Sequence, residues 1–197
     1  MRIRIFGRGV MAEALLRLAE RGGHDVQWAE EGPVLAADDA ADLVILTGSR
    51  TAVENAITRI APAISPDLVV VDATMPAQDA RREGGAESAG RGAGWIATSL
   101  PGACVVRAFA SVPADVLAAV SSRSVAERSA RVAIPLAGDD PEAKARVGKF
   151  MRDVGLEPFD IGALTVSDVL EPGGALWGKA LSQVELLEAV GGLSGDG

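Results

Sequence analysis

Arg2-Ile3-Arg4-Ile5-Phe6 alternates polar and apolar residues as a strand does, and Gly7-Arg8-Gly9-Val10-Met11-Ala12 then breaks the alternation. Met11, Leu15, Leu16, Leu18 and Ala19 recur at helical spacing behind the break. This is strand, glycine turn, helix. In such a unit the first glycine makes the tight turn and the second lets the backbone approach a pyrophosphate. A small third residue, here Ala12, lets helix and strand pack closely. The free N–H groups and the positive dipole end of the helix then face the phosphates. Gly7, Arg8, Gly9, Val10, Met11 and Ala12 are therefore the candidate cofactor cradle. The competing reading is a structural strand-to-helix turn with no ligand.

Charge and residue inventory narrow the chemistry. A balance of 19 basic against 27 acidic residues gives a net charge of −8, which disfavours a nucleic-acid partner or an anionic membrane surface. No apolar run approaches the ~18 residues that span a bilayer, and the first strand starts where a signal peptide would have to be, so the expected location is cytoplasmic. The absence of tyrosine closes the Tyr/Lys chemistry of short-chain dehydrogenases. The single histidine, His24, falls at a helix-to-strand turn, and the single cysteine, Cys104, falls in an apolar run. Neither supplies a cluster with transition-metal spacing, and no intrinsic metal is expected. Of the lysines, Lys144 and Lys149 lie on the polar face of a helix, leaving Lys179 as a candidate cation near a site.

Strands and helices then alternate along the chain, the order that makes a parallel sheet. Asp25 to Ala29 reads as a second strand ending at Glu30-Glu31-Gly32-Pro33. An acid about 20 positions past the glycine turn accepts hydrogen bonds from a ribose 2′-hydroxyl. Glu30 is that candidate and would favour NAD over NADP; a solvated acidic turn is the alternative. Val34 and Leu35 leave little room for a third strand before the buried run Asp42 to Thr47. Thr47, Gly48, Ser49 and Arg50 follow at the carboxyl end of that run, where ligands bind in open α/β sheets. Ser49 and Arg50 read equally as a phosphate contact or as a helix cap beside a solvated arginine.

The apolar strand Leu68 to Val71 leads to Asp72-Ala73-Thr74-Met75-Pro76, and the Gly-rich, Arg-rich segment from Gln78 to Gly94 reads as a loop or weak helix, a candidate lid. Trp95 to Leu100 is a short amphipathic stretch, Cys104 to Ala108 a strand, and a helix begins at Ala114. Arg131 to Ala137 reads as a strand. Asp140-Pro141-Glu142 then opens a helix with a capping aspartate and a proline at its first position. Leu156 to Ile161 is the last strand; the apolar pattern beyond Leu164 is helical, interrupted at Glu171-Pro172-Gly173-Gly174 and resuming through Leu176, Trp177, Leu181, Val184 and Leu187. The expected organisation is an α/β, doubly wound, mostly parallel sheet over residues 1–160, a small C-terminal helical extension over 161–190, and a frayed tail over 191–197.

The glycine turn, Asp72-Ala73-Thr74-Met75-Pro76, Leu100-Pro101-Gly102-Ala103, Arg107-Ala108-Phe109, Ala137-Gly138-Asp139-Asp140 and Leu170-Glu171-Pro172 with Ala175-Leu176-Trp177 occur in an order and spacing that resembles the deazaflavin-coenzyme-dependent NADP reductase family. The resemblance implies a compact Rossmann domain, often a homodimer, that moves hydride between a nicotinamide ring and a second ring stacked against it. The chain departs from that pattern at Glu30-Glu31, where the family has a Ser-Arg-type phosphate site, and at Met75 and Ala110, where it has Asn. Arg107 keeps only the charge of a family lysine.

These readings converge on a nicotinamide dinucleotide, NAD or NADP, bound by residues 7–12 with Thr47 to Arg50 and Thr74, Met75 and Pro76 beside it. Arg107, Phe109, Ser111 and Trp177 are expected to face a small-molecule second reactant. The leading function is an NAD(P)-dependent oxidoreductase; deazaflavin reduction by NADPH and a noncatalytic protein with a degenerate cofactor site are the alternatives.

Overall fold

A computed structural model describes residues 1–29, 41–75, 93–122 and 132–193. β1 (Arg2–Phe6) leads through the glycine turn into α1 (Val10–Arg21), and β2 (Asp25–Trp28) follows. β3 (Leu43–Leu46), α2 (Arg50–Ile60), β4 (Val69–Asp72), α3 (Ala93–Ser99) and β5 (Cys104–Ala108) continue the alternation. α4 (Ala114–Ser122), β6 (Ala133–Gly138), α5 (Pro141–Asp153) and β7 (Glu157–Asp160) complete it. A 3₁₀ helix (Leu164–Leu170) and α6 (Gln183–Leu193) form the C-terminal extension.

The strands lie in one sheet in the order β2-β1-β3-β4-β5-β6-β7. Every pair is parallel except β5 with β6, which is antiparallel. Because β1 is followed by β2 on one side and flanked by β3 on the other, the chain reverses its winding beside β1. Ligand crevices form at such switch points, outside the carboxyl ends of the strands.

Both faces of the sheet are covered, which is why the central strands read as continuous apolar runs. Ile3, Ile5, Leu43, Ile45, Val69, Val71 and Val106 point to one face and pack under Leu15 and Leu18 of α1, Leu117 of α4 and Phe150 of α5. Phe6, Val44, Leu46, Val70 and Val105 point to the other, under Val53 and Ile60 of α2 and Ile96 of α3. A small third cluster of Ala133, Leu170, Leu176 and Leu186 seats the C-terminal extension on β6.

The expected cap of α5 forms: Ala143 N donates to Asp140 Oδ1 at 2.7 Å, with Pro141 at the first turn. Asp140→Ala is expected to cost about 1 kcal/mol, read as a fall in Tm of roughly 2–4 °C. The C-terminal region differs from the sequence reading. Leu176 and Trp177 lie in turns, and the helix starts only at Gln183. Gly173 and Gly178 take positive φ values of 90° and 70°, and a Cβ on Gly174 would lie 2.5 Å from the Asp168 carbonyl oxygen, so the segment bends tightly where a helix would run straight. Ser182 and Glu185 then open α6 as a reciprocal cap, Ser182 N donating to Glu185 Oε2 at 2.8 Å. α6 extends to Leu193, and residues 194–197 of the expected tail lie outside the described residues. Glu30, Val34, Leu35 and Pro76 lie outside the described residues, as does the lid segment apart from Ala93 and Gly94, which open α3.

Candidate functional site

At the end of β1 the backbones of two neighbouring strands meet closely. Thr47 donates to the Phe6 carbonyl oxygen twice, from its N–H at 2.8 Å and from its Oγ1 at 2.9 Å. Gly7 turns there with φ 100°, and a Cβ on it would stand 2.0 Å from the Thr47 carbonyl oxygen. Gly7 is a packing glycine. Gly9 has a similar φ of 107°, yet a Cβ on it would meet nothing within 4 Å. It opens α1 with no side-chain cap, and the first intrahelical bond runs from Glu13 N to Gly9 O. The N–H groups of Val10, Met11 and Ala12 thus stand ahead of the helical ladder, without an intrahelical acceptor. Val10 is 65% exposed, while Met11 and Ala12 are buried against the sheet.

A cleft of about 250 Å³ adjoins this turn, lined by Phe6, Gly7, Arg8, Asn55 and Arg59 among others. Gly48 packs on the glycine turn, with the Arg8 backbone nitrogen 3.5 Å from where a Cβ would lie. The Arg59 guanidinium lies 5.3 Å from the Phe6 ring centroid and donates to the Ala29 carbonyl oxygen at the end of β2. Ser49 caps α2, its Oγ accepting from Ala52 N at 3.4 Å. Arg50 reaches Glu54 at 2.7 Å and stacks 4.6 Å over the Trp95 ring. The structure thus forms the cap and gives Arg50 a carboxylate and a ring as neighbours.

Two strands further along, a buried ionic cluster stands at the carboxyl ends of β4 and β5. Asp72 and Arg107 are register partners, 0% and 1% exposed. Arg107 Nη1 lies 2.8 Å from Asp72 Oδ2 and donates to Thr74 Oγ1 at 3.2 Å, and Nη2 lies 2.7 Å from Glu171 Oε1. Thr74 donates to Asp72 Oδ1 from its N–H at 3.0 Å and its Oγ1 at 2.7 Å, folding the end of β4 into a turn. The carboxylate contacts are close but off hydrogen-bond angles, and Arg107 Nε is buried without a hydrogen bond. Burial pushes the Glu171 carboxyl above the usual range; Arg107 opposes this, while Asp72 and Asp168 reinforce it.

The residues expected to face a second reactant are distributed around this cluster. Arg107 lies beneath the surface as its hub, rather than presenting a free guanidinium. Phe109 is fully buried, its ring edge-on to Phe150 at 6.1 Å, and it takes φ 68° as the chain leaves β5. Ser111 is buried, and its carbonyl accepts from Gly178 N at 2.8 Å, which ties the C-terminal turns to the end of β5. Trp177, one residue earlier, is partly buried; Met75 packs partly buried on the core, and Lys179 is exposed. His24 lies before β2 at the opposite end of the sheet, 3.4 Å from the N-terminal amine and 3.7 Å from Asp153. Burial first, and the amine second, hold its pKa down. Cys104 is partly exposed, and no group of metal-ligating side chains forms among the described residues. No helix among the described residues is long and apolar enough to cross a membrane.

The sequence reading missed Asp72 and Glu171 as members of the cluster. The signal was a charge placed inside the apolar strand Cys104-Val105-Val106-Arg107-Ala108, which requires buried partners.

No family model matches this chain, and no curated protein matches it. Solved structures do. A hypothetical protein from Sinorhizobium meliloti superposes with a TM-score of 0.72 at 24% identity, over 93% of this chain and 96% of that one. A putative factor 420-dependent NADP reductase from an Arthrobacter species follows with a TM-score of 0.65 at 17% identity, over 93% and 100% of the two chains. The chain has a Rossmann fold. Pyrroline carboxylate reductase from Plasmodium falciparum, crystallised with NADP bound, shares it more distantly, with a TM-score of 0.57 at 8% identity over 87% of this chain and 62% of that one. Identities this low speak to the fold alone.

Proposed function

We propose that this Rossmann domain is an NAD(P)-dependent oxidoreductase that transfers hydride between a nicotinamide ring and a small second substrate. The observation that carries the reading is the difference between the two glycines of the turn. Gly7 is packed against Thr47, whereas Gly9 keeps its positive φ with open space in front of it and no side-chain cap on the helix behind. A left-handed glycine facing nothing has no packing purpose. It suits the close approach of a pyrophosphate to the N–H groups of Val10, Met11 and Ala12.

Phe6, Leu46, Asp72 and Arg107 are successive register partners across β1, β3, β4 and β5. At about 4.8 Å per strand, Arg107 stands ~14 Å along this row from the glycine turn. A dinucleotide held at Gly9 would lay its nicotinamide half over the ends of β4 and β5, with its adenosine half toward the cleft at Phe6, Arg8 and Arg59. The protein supplies binding and orientation, and the nicotinamide supplies the hydride chemistry.

Gly9→Asp places a carboxylate where the pyrophosphate would lie. The backbone strain costs about 1–3 kcal/mol, partly offset by the capping side chain, so the variant is expected to fold. Its affinity for the reduced nucleotide, read by nicotinamide fluorescence, is expected to fall by at least about tenfold, or 1.4 kcal/mol. Unchanged affinity would remove the glycine turn from the binding site.

A further inference from the structure

We propose that Glu171 is the proton donor that accompanies hydride transfer, its carboxyl group held by Arg107 over the ends of β4 and β5, and that the second substrate is therefore a compound with a C=O or C=N bond. This rests on the oxidoreductase reading above. Reducing such a bond adds hydride to the carbon and a proton to the oxygen or nitrogen, as the π bond breaks and C–H and O–H or N–H bonds form. The electron pair comes from the reduced nicotinamide cofactor. The proton comes from the Glu171 carboxyl, which is left as a carboxylate beside Arg107 and takes its next proton from solvent. In the reverse direction that carboxylate accepts the proton.

Among the described residues the usual donors are missing or misplaced. The chain has no tyrosine, and His24 lies at the opposite end of the sheet. Lys144 and Lys149 sit on α5, paired with Asp160 and Asp153, and Lys179 stands exposed on the C-terminal turns rather than held over the strand ends. Asp72 is close to the site but fully buried, with Oδ1 taking both donors of Thr74 and Oδ2 facing Arg107. It is fixed as an acceptor. Glu171 differs in the respect that proton transfer needs: Oε1 is buried 2.7 Å from the guanidinium, yet the side chain keeps 24% of its surface in solvent. One side is held and the other has an exit. The loop bearing it is tied down over β5, Leu176 N donating to Val169 O at 2.9 Å and Gly178 N to Ser111 O at 2.8 Å.

Among the described residues, the charged groups around Glu171 are Arg107 on β5, Asp72 on β4 and Asp168 on the 3₁₀ helix. Burial and the two aspartates favour the neutral acid, while Arg107 favours the carboxylate and steadies it once the proton has left. A general acid with its proton affinity raised toward the working pH is the form such catalysis requires.

The test uses the positive charge of the oxidised nicotinamide ring. Wild-type protein is titrated with whichever of NAD⁺ or NADP⁺ binds, and with its reduced partner, by calorimetry in two buffers of different ionisation enthalpy between about pH 5 and 7, above the ordinary glutamate range. The expected result is release of a fraction of a proton per site more on binding the oxidised form than on binding the reduced form, an excess that is lost in Glu171→Gln; release common to both forms comes from groups that do not sense the ring's charge, such as a 2′-phosphate. Binding without that excess in the wild type, or an excess that persists in Glu171→Gln, overturns the assignment and leaves the oxidoreductase reading standing. Binding of no nucleotide at all overturns both. The wild-type arm decides the question even if the variant fails to fold.

Discussion

Arg107→Met is expected to destabilise the protein by about 3–5 kcal/mol, because it leaves the buried Asp72 carboxylate without its cation. Asp72 has no exposed surface, and Glu171 reaches the guanidinium with its buried oxygen. In a chain of this length each kcal/mol moves Tm by roughly 2–4 °C, so a fall of roughly 6–20 °C is the expected reading in a thermal melt. Arg107→Lys keeps the charge but cannot reach Asp72, Thr74 and Glu171 together, and should fall between wild type and Arg107→Met. The double variant Arg107→Met with Asp72→Asn removes both charges, while the amide oxygen introduced at position 72 can still accept from Thr74. It should therefore lose less than the sum of the two single variants. An additive pair of losses would mean that Arg107 and Asp72 are not energetically coupled.

Gly7→Ala should be worse still. Its Cβ would stand 2.0 Å from the Thr47 carbonyl oxygen and 2.5 Å from both the Thr47 carbonyl carbon and Oγ1, and two of these are backbone atoms of the adjoining strand end. Relief would require β1 and β3 to part at the centre of the sheet, with φ 100° adding strain of its own. A loss above about 4 kcal/mol is expected, in the range that only a few mechanisms reach. Gly9→Ala is the control, since it has nearly the same φ and open space around its Cβ. Its cost should be limited to about 1–3 kcal/mol of backbone strain. Chemical denaturation of the two variants side by side separates them; equal losses would show that Gly7 and Gly9 do not differ in packing.

The sheet was legible because each central strand is buried on both faces and so appears as an apolar run bounded by turn residues. β5 matches the expected Cys104 to Ala108 residue for residue, and the Asp140-Pro141 signal marks the start of α5. The glycine turn was legible for a related reason: its chemistry is local, carried by consecutive residues. The antiparallel course of β6 was not, since nothing in Ala133 to Gly138 encodes the direction of its neighbour. Nor was the bend at Gly173 to Gly178, where an apolar spacing that suits a helix is overridden by left-handed glycines and by packing against Asp168.

The ionic cluster joins residues 72, 107 and 171, separated by long stretches of chain and brought together by strand register and a C-terminal loop. Sequence reasoning could place Arg107 at the end of a strand, beside a site. It could not supply Asp72, Thr74 and Glu171, the partners gathered around its guanidinium.

The most direct measurement is calorimetric titration of the folded wild-type protein with NADH, NAD⁺, NADPH and NADP⁺ in turn. The expected result is saturable binding of one redox pair at one site per chain, abolished or strongly weakened in Gly9→Asp, with the preferred pair settling the choice between NAD and NADP. Absence of heat and of competition with all four nucleotides, from a sample shown to be folded, would contradict the assignment of a nicotinamide site to this Rossmann domain.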